Sequence, residues 1–213
     1  MAYFPFFVDI KGQECLIAGG GMVAYRKALT IKDYDPHITV IAPHCIPEMK
    51  QLAEECKGTI VLLQRNIMDS DLNQADFVIA ATSEERINRH LSQCCKERKI
   101  PINVVDVQEE CSFIFPALIR EKEITIGIST GGNSPTVARY LKEKFKKLIP
   151  SGFGALASQL GSYRDMVKAN IDSQSVRSEI FKIMVDEGIR QGGVFSQEQL
   201  KELIERKRAE HEQ

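Results

Sequence analysis

The hydrophobic positions in the first half of the chain fall into short unbroken runs. ECLIA (14–18), ITVIA (38–42), TIVLL (59–63), FVIAA (77–81) and INVV (102–105) have almost no polar interruption. Such runs mark strands buried on both faces, because a sheet with one wet face would alternate apolar and polar residues. Between them lie stretches with helical spacing at 22–34, 47–57 and 84–99. This βαβαβ order predicts a doubly wound α/β fold with right-handed crossovers.

The pattern changes after Asp106. Residues 112–118 and 123–129 read as two strands joined by the charged turn Arg120-Glu121-Lys122. In the second, Ile124, Ile126 and Ile128 alternate with Thr125, Gly127 and Ser129, so one face is half exposed or forms an interface. Ser134-Pro135 opens a helix to about residue 148: serine caps, and proline fits the first helical position. Residues from 152 on are helical by periodicity, with a Ser196-x-x-Gln199 capping box. The expected architecture is α/β. It comprises an N-terminal Rossmann-type parallel sheet (1–111), a small central α+β dimerisation region (112–150) and a C-terminal helical region (151–213). Two strands are marginal alone, so pairing with a second copy into a homodimer is expected.

Composition narrows the classes. With 213 residues, 43% hydrophobic and 27% charged, the chain suits a globular protein of one or two domains. No apolar run approaches the roughly 20 residues of a membrane span. The 1–9 stretch lacks a basic leader and a small-residue cleavage site, so it does not read as a signal peptide. Lys+Arg 28 against Asp+Glu 29 gives net charge -1, which offers no footprint for nucleic acid. The six cysteines show no Cys-x-x-Cys pair and suit reduced structural thiols in the cytoplasm. The histidines (His37, His44, His90, His211) show no ligand spacing, so the sequence identifies no metal site.

The chemistry starts at Gly19-Gly20-Gly21, directly after the first strand. Read as G-x-G-x-x-A, it uses Gly19 for the tight turn, Gly21 for close approach to a pyrophosphate and Ala24 for helix–sheet packing. The helix N-terminus offers free N–H groups to the anion. The alternative is a tight βα turn without ligand. The acid that usually holds the ribose near the end of the second strand is missing; Ile41-Ala42-Pro43-His44 stands there. His44 suits a phosphorylated ribose or is a solvated loop residue, so NAD is expected with NADP not excluded. Ala81 is small enough to leave room for a cofactor. Thr82 forms a capping box with Glu85 and also faces the cofactor edge. Asp106 closes the fifth strand at that edge, as a general base or a turn residue. Ser129, Thr130, Gly131, Gly132 and Asn133 form a hydroxyl- and glycine-rich helix entrance suited to a carboxylate or phosphate, or an ordinary loop. The following helix is basic, Arg139 included, as a solvated face or to steer an anion.

These motifs together resemble the precorrin-2 dehydrogenase/sirohydrochlorin ferrochelatase family, which includes the N-terminal half of bifunctional siroheme synthase. CLIAGGGMVAYRKA, ITVIAP, AATSEERIN, INVVDVQEECSFIFPALI and ISTGGNSPTVARYLKEK carry the resemblance, strongly over about 3–150. It implies NAD-dependent oxidation of precorrin-2, an anionic tetrapyrrole, to sirohydrochlorin. It implies that Asp106 is the important aspartate and that Met22, Val23, Pro43 and His44 contact NAD. Some relatives have Ser-Ser-Gly-Gly where this chain has Ser129-Thr130-Gly131-Gly132. No room is expected for the methyltransferase half, so a separate methyltransferase, and a separate chelatase if this chain is not one, would serve the pathway. Two alternatives stand: a bifunctional enzyme that also inserts Fe²⁺ as substrate, and a non-catalytic NAD(H)-sensing module.

Overall fold

The computed structural model describes residues 3–192 and 195–211, except the side chain of His211. It forms two compact units, one up to Phe115 and one from Pro116 on. Among the described residues, no helix is long and apolar enough to cross a membrane.

The first unit is a five-stranded sheet of β1 (Glu14–Ala18), β2 (His37–Ile41), β3 (Ile60–Leu63), β4 (Phe77–Ala80) and β5 (Ile102–Val104). Its order is β3-β2-β1-β4-β5, and every pairing is parallel. The unbroken apolar runs are explained by burial on both faces. Helices α1 (Met22–Ile31) and α2 (Pro47–Glu55) bury Ala24, Ala28, Ile31, Met49 and Leu52 with Cys15 and Ile17 on one side. Helix α3 (Glu85–Arg98) buries Leu91 and Cys95 with Leu16 and Val78 on the other. The strand order reverses between β1 and β4. In open α/β sheets the crevice beyond the carboxyl ends of those strands takes the ligand.

The second unit pairs β6 (Ala117–Glu121) with β7 (Ile124–Ile128) antiparallel and packs α4 (Pro135–Leu148) on them through Ile119, Ile128 and Ala138. Helices α5 (Phe153–Asn170), α6 (Gln174–Arg190) and α7 (Gln197–His211) enclose their own core of Val167, Ile180, Met184, Phe195 and Leu200. Two caps match the sequence reading. Ser134 accepts from the Val137 N–H at 3.2 Å, and the Ser196–Gln199 box closes both ways at 2.8 and 3.2 Å.

Three local expectations are corrected. The first hairpin strand begins at Ala117, not at residue 112, and Arg120 and Glu121 lie in the ladder, with Lys122 and Glu123 as the loop. The apolar 112–115 stretch belongs to the first unit instead: Phe113 packs edge-on against Phe77 at 6.4 Å and Phe115 lies tilted against Phe113 at 5.7 Å. Pro116 has no N–H for a ladder. The helix expected over 22–34 ends its α-helical part at Ile31, with a 3₁₀ turn, Lys32–Tyr34, beyond. The Thr82–Glu85 capping box does not form: Glu84 is the N-cap residue of α3 and its side chain makes no capping bond.

Candidate functional site

Gly19 leaves β1 with φ +117°, a region side chains rarely adopt. A Cβ there would lie 2.3 Å from the Ala81 carbonyl oxygen, so the exits of β1 and β4 meet too closely for any other residue. The ladder continues to this point, with Ala81 N–H donating to Ala18 at 2.8 Å and Gly19 N–H to Ile41 at 2.9 Å. Gly20, which the motif reading left as a free position, is equally confined. Its Cβ would meet the His44 carbonyl at 2.4 Å and Cys45 Sγ at 2.7 Å, and its own carbonyl accepts from Ile46. Its signal lay in tertiary approach, not in local sequence.

Gly21 is the opposite case. It caps α1 in extended backbone, and a Cβ added there would meet nothing within 4 Å. No side chain caps the helix and no acidic residue occupies its first turn. The leading N–H groups of a helix have no intrahelical partner, and the dipole adds partial positive charge. Met22 and Val23 stand beside this opening, each 41% exposed although apolar. Together they make an uncapped helix start with an apolar rim, a geometry suited to an anion.

Around this opening, the turn after β2 presses the His44 backbone on Gly20 while the Pro43 and His44 side chains are exposed. The position for a ribose-holding acid is filled by buried Ala42. After β4, the Thr82 hydroxyl lies 2.8 Å from Asn88 Oδ1 and 3.1 Å from the Glu84 carbonyl, and accepts from the Glu84 N–H at 3.2 Å. Asn88 returns a bond to the Thr82 carbonyl at 3.0 Å. Asn88 is only 6% exposed and fixes the shape of the β4 exit, a residue the motif search missed.

Asp106 lies two residues beyond β5, exposed, with φ +62°. Aspartate tolerates this left-handed backbone better than most residues. The turn is clasped by Cys111. Its Sγ donates toward the Val104 and Val107 carbonyls at 3.1 and 3.3 Å and accepts from the Val104 N–H at 3.1 Å. Burial pushes this thiol's pKa up, partly offset by the Val104 N–H and Lys27. Lys27, on α1, places its ammonium 3.8 Å from the centre of the Phe115 ring. Burial lowers its pKa, and the fields of Cys111 and Asp106 oppose that shift. Lys27 and Cys111 thus flank the Asp106 turn, and neither was singled out from sequence.

Ser129, Thr130, Gly131 and Asn133 line the loop that enters α4 in the second unit. Thr130 Oγ1 donates to the Ser134 carbonyl at 3.0 Å and accepts from its N–H at 3.1 Å, while Ser129 Oγ accepts from Gly131 at 3.1 Å. Arg139 is exposed on α4.

One cluster contradicts the reading that no histidine has ligand spacing. His90 and Cys94 are one turn apart on α3, and with Asp69 their ligand atoms lie within 4.8 Å of one another. His211, also considered for a metal, has a side chain outside the described residues.

Comparison with known proteins bears on these features. A family model described as "Putative NAD(P)-binding" matches residues 6–117. The siroheme synthase of Thioalkalivibrio sulfidiphilus is 39% identical over 87% of this chain and 38% of its own length. That of Vesicomyosocius okutanii is 34% identical over 91% of this chain and 42% of its own. This chain therefore spans about two-fifths of these relatives. A solved structure titled "SirC, precorrin-2 dehydrogenase" superposes with a TM-score of 0.73 at 22% identity, covering 97% of this chain and all of that one. That likeness shows the shared fold.

Proposed function

We propose, from the premise that this chain belongs to the NAD(P)-binding family, that it oxidises precorrin-2 to sirohydrochlorin with NAD. The observation that carries this is the uncapped α1 N-terminus behind Gly21, open at the switch point of the sheet. The residues fit the cofactor: Gly19 and Gly21 clear space for a pyrophosphate, and the N–H groups of Met22 and Val23 face it. Pro43, His44, Ala81 and Thr82 border the adenosine and nicotinamide sides. When held there, the dinucleotide would supply the hydride acceptor. Asp106 takes the accompanying proton from the substrate, held in place by its clasped turn. In the second unit, Ser129, Asn133 and Arg139 offer hydroxyl, amide and guanidinium donors suited to carboxylates, while Thr130 and Gly131 spend theirs holding the loop. The names and sequences of the siroheme synthases, and the name of the fold relative, support this choice of reaction.

NAD is favoured over NADP, with Ala42 and Pro43 supplying no cation for a 2′-phosphate. The second unit, with region 112–150, serves homodimerisation. In support, α4 leaves Val137, Tyr140 and Leu148 at 47%, 60% and 73% exposure, an apolar stripe at helical spacing. The six free cysteines agree with a reducing cytoplasm. Fe²⁺ insertion would use the same carboxylate to deprotonate pyrrole nitrogens, with iron as substrate.

The test is anaerobic incubation of the purified chain with precorrin-2 and NAD, followed by Fe²⁺. Reduced NAD appearing with sirohydrochlorin supports the dehydrogenase. Tight NAD binding without turnover would replace it with the sensing module. Siroheme formed only after iron addition, and lost in Asp106→Asn, would add the chelatase.

A further inference from the structure

We propose that Asp69, His90 and Cys94 bind one divalent cation of the zinc class on the α3 side of the first unit. His90 Nε2 lies 2.8 Å from Asp69 Oδ1 and 3.5 Å from Cys94 Sγ. A neutral imidazole nitrogen carries at most one proton, which cannot serve both acceptors well. A dication at that point serves all three. Zinc bonds of roughly 2.0–2.3 Å in tetrahedral geometry set donor atoms roughly 3.3–3.7 Å apart. Side-chain rotations of a few tenths of an ångström to about 1 Å bring the three atoms to that spacing.

The two elements that supply the ligands are already fixed to each other. Asp69 opens a 3₁₀ turn, Asp69–Gln74. Arg98 of α3 donates to the Asp69 carbonyl and to Asn73 Oδ1, both at 2.9 Å. Arg65 grips Asp71 in the same turn through two bonds of 2.7 and 2.8 Å. His90 and Cys94, four residues apart, face that turn from one side of α3. Ligands held by such outer contacts lose little entropy on binding. Mixed nitrogen, sulfur and oxygen donors select zinc-like ions over magnesium or calcium. The Asp69 and His90 side chains are 53% and 56% exposed, which leaves a fourth position to water. Because α3 packs on the sheet face opposite α1, this site is separate from the glycine cradle and does not depend on the proposed reaction.

Co²⁺ titrated into the reduced full chain is the probe. A thiolate-to-cobalt charge-transfer band that saturates at one equivalent and is displaced by Zn²⁺ is expected. Cys94→Ser should abolish the band, and His90→Ala and Asp69→Asn should each weaken binding by about tenfold or more. Cys95→Ser and Cys111→Ser should keep it. Thermal melts check that each variant folds, and His90→Ala carries the test if Cys94→Ser does not. No saturable band in the wild type, a band that survives Cys94→Ser, or wild-type cobalt affinity in His90→Ala overturns the site and leaves a surface His–Asp pair beside a thiol.

Discussion

Two turns in this molecule are built alike and end differently. Each leaves a strand, passes through adjacent glycines and enters a helix: β1 through Gly19-Gly20-Gly21 into α1, and β7 through Gly131-Gly132 into α4. In the second, Ser134 caps the helix and the Thr130 hydroxyl bonds both backbone groups of Ser134, so the polar groups answer one another. In the first, backbone is pressed against backbone at Gly19 and Gly20, while the helix start is left without a cap. Glycine content alone does not make an anion site. What distinguishes one is the withheld cap: with glycine at the N-cap it forgoes only roughly a few tenths of a kcal/mol of helix stability and leaves donors for a ligand.

The comparison can be broken at four points. If chemistry gathers at the open turn, Asp106→Asn should lower turnover by roughly 10²–10⁴-fold, the usual share of a positioned base. NAD affinity by calorimetry and the thermal melt should barely change; wild-type turnover would make Asp106 a turn residue. Next, Gly19→Ala should cost about 3 kcal/mol in chemical denaturation, from backbone strain and collision with the Ala81 carbonyl. Gly131→Ala, also left-handed at φ +62° but with only Asn133 Nδ2 near at 3.8 Å, should cost about 1 kcal/mol. Equal losses would remove the distinction between the turns.

Third, Gly21→Asp places a good N-cap residue where the pyrophosphate should approach. NAD affinity should fall by about tenfold or more while the melting temperature holds or rises slightly. Unchanged affinity would sink the cofactor cradle. Last, Ser134→Ala should destabilise by about 1 kcal/mol and leave NAD affinity as it was. A loss of NAD binding there would mean the second turn also serves the dinucleotide.

The parallel sheet was legible because strands buried on both faces leave unbroken apolar runs, and the glycine turn because it follows such a run directly. Residues 112–115 misled for the same reason: Phe113 packs on Phe77 and Phe115 on Phe113, and an apolar run does not say whether its backbone is paired. Thr82 and Glu85 have capping-box spacing, but Asn88 captures the hydroxyl one turn further on. The His90–Cys94 pair was present at one-turn spacing. Its third member stands 21 residues before His90 and is delivered by the Arg98 clamp, which no local pattern announces.

The left-handed backbone at Asp106 limits how this position can change over descent. Asparagine and glycine hold φ +62° with least strain, so they are the replacements that would leave the turn standing. Both lack the carboxylate. A lineage released from the need for a base should therefore drift to glycine there while keeping the cysteine clasp and the dinucleotide cradle. Such descendants would be recognisable as binders from that single codon.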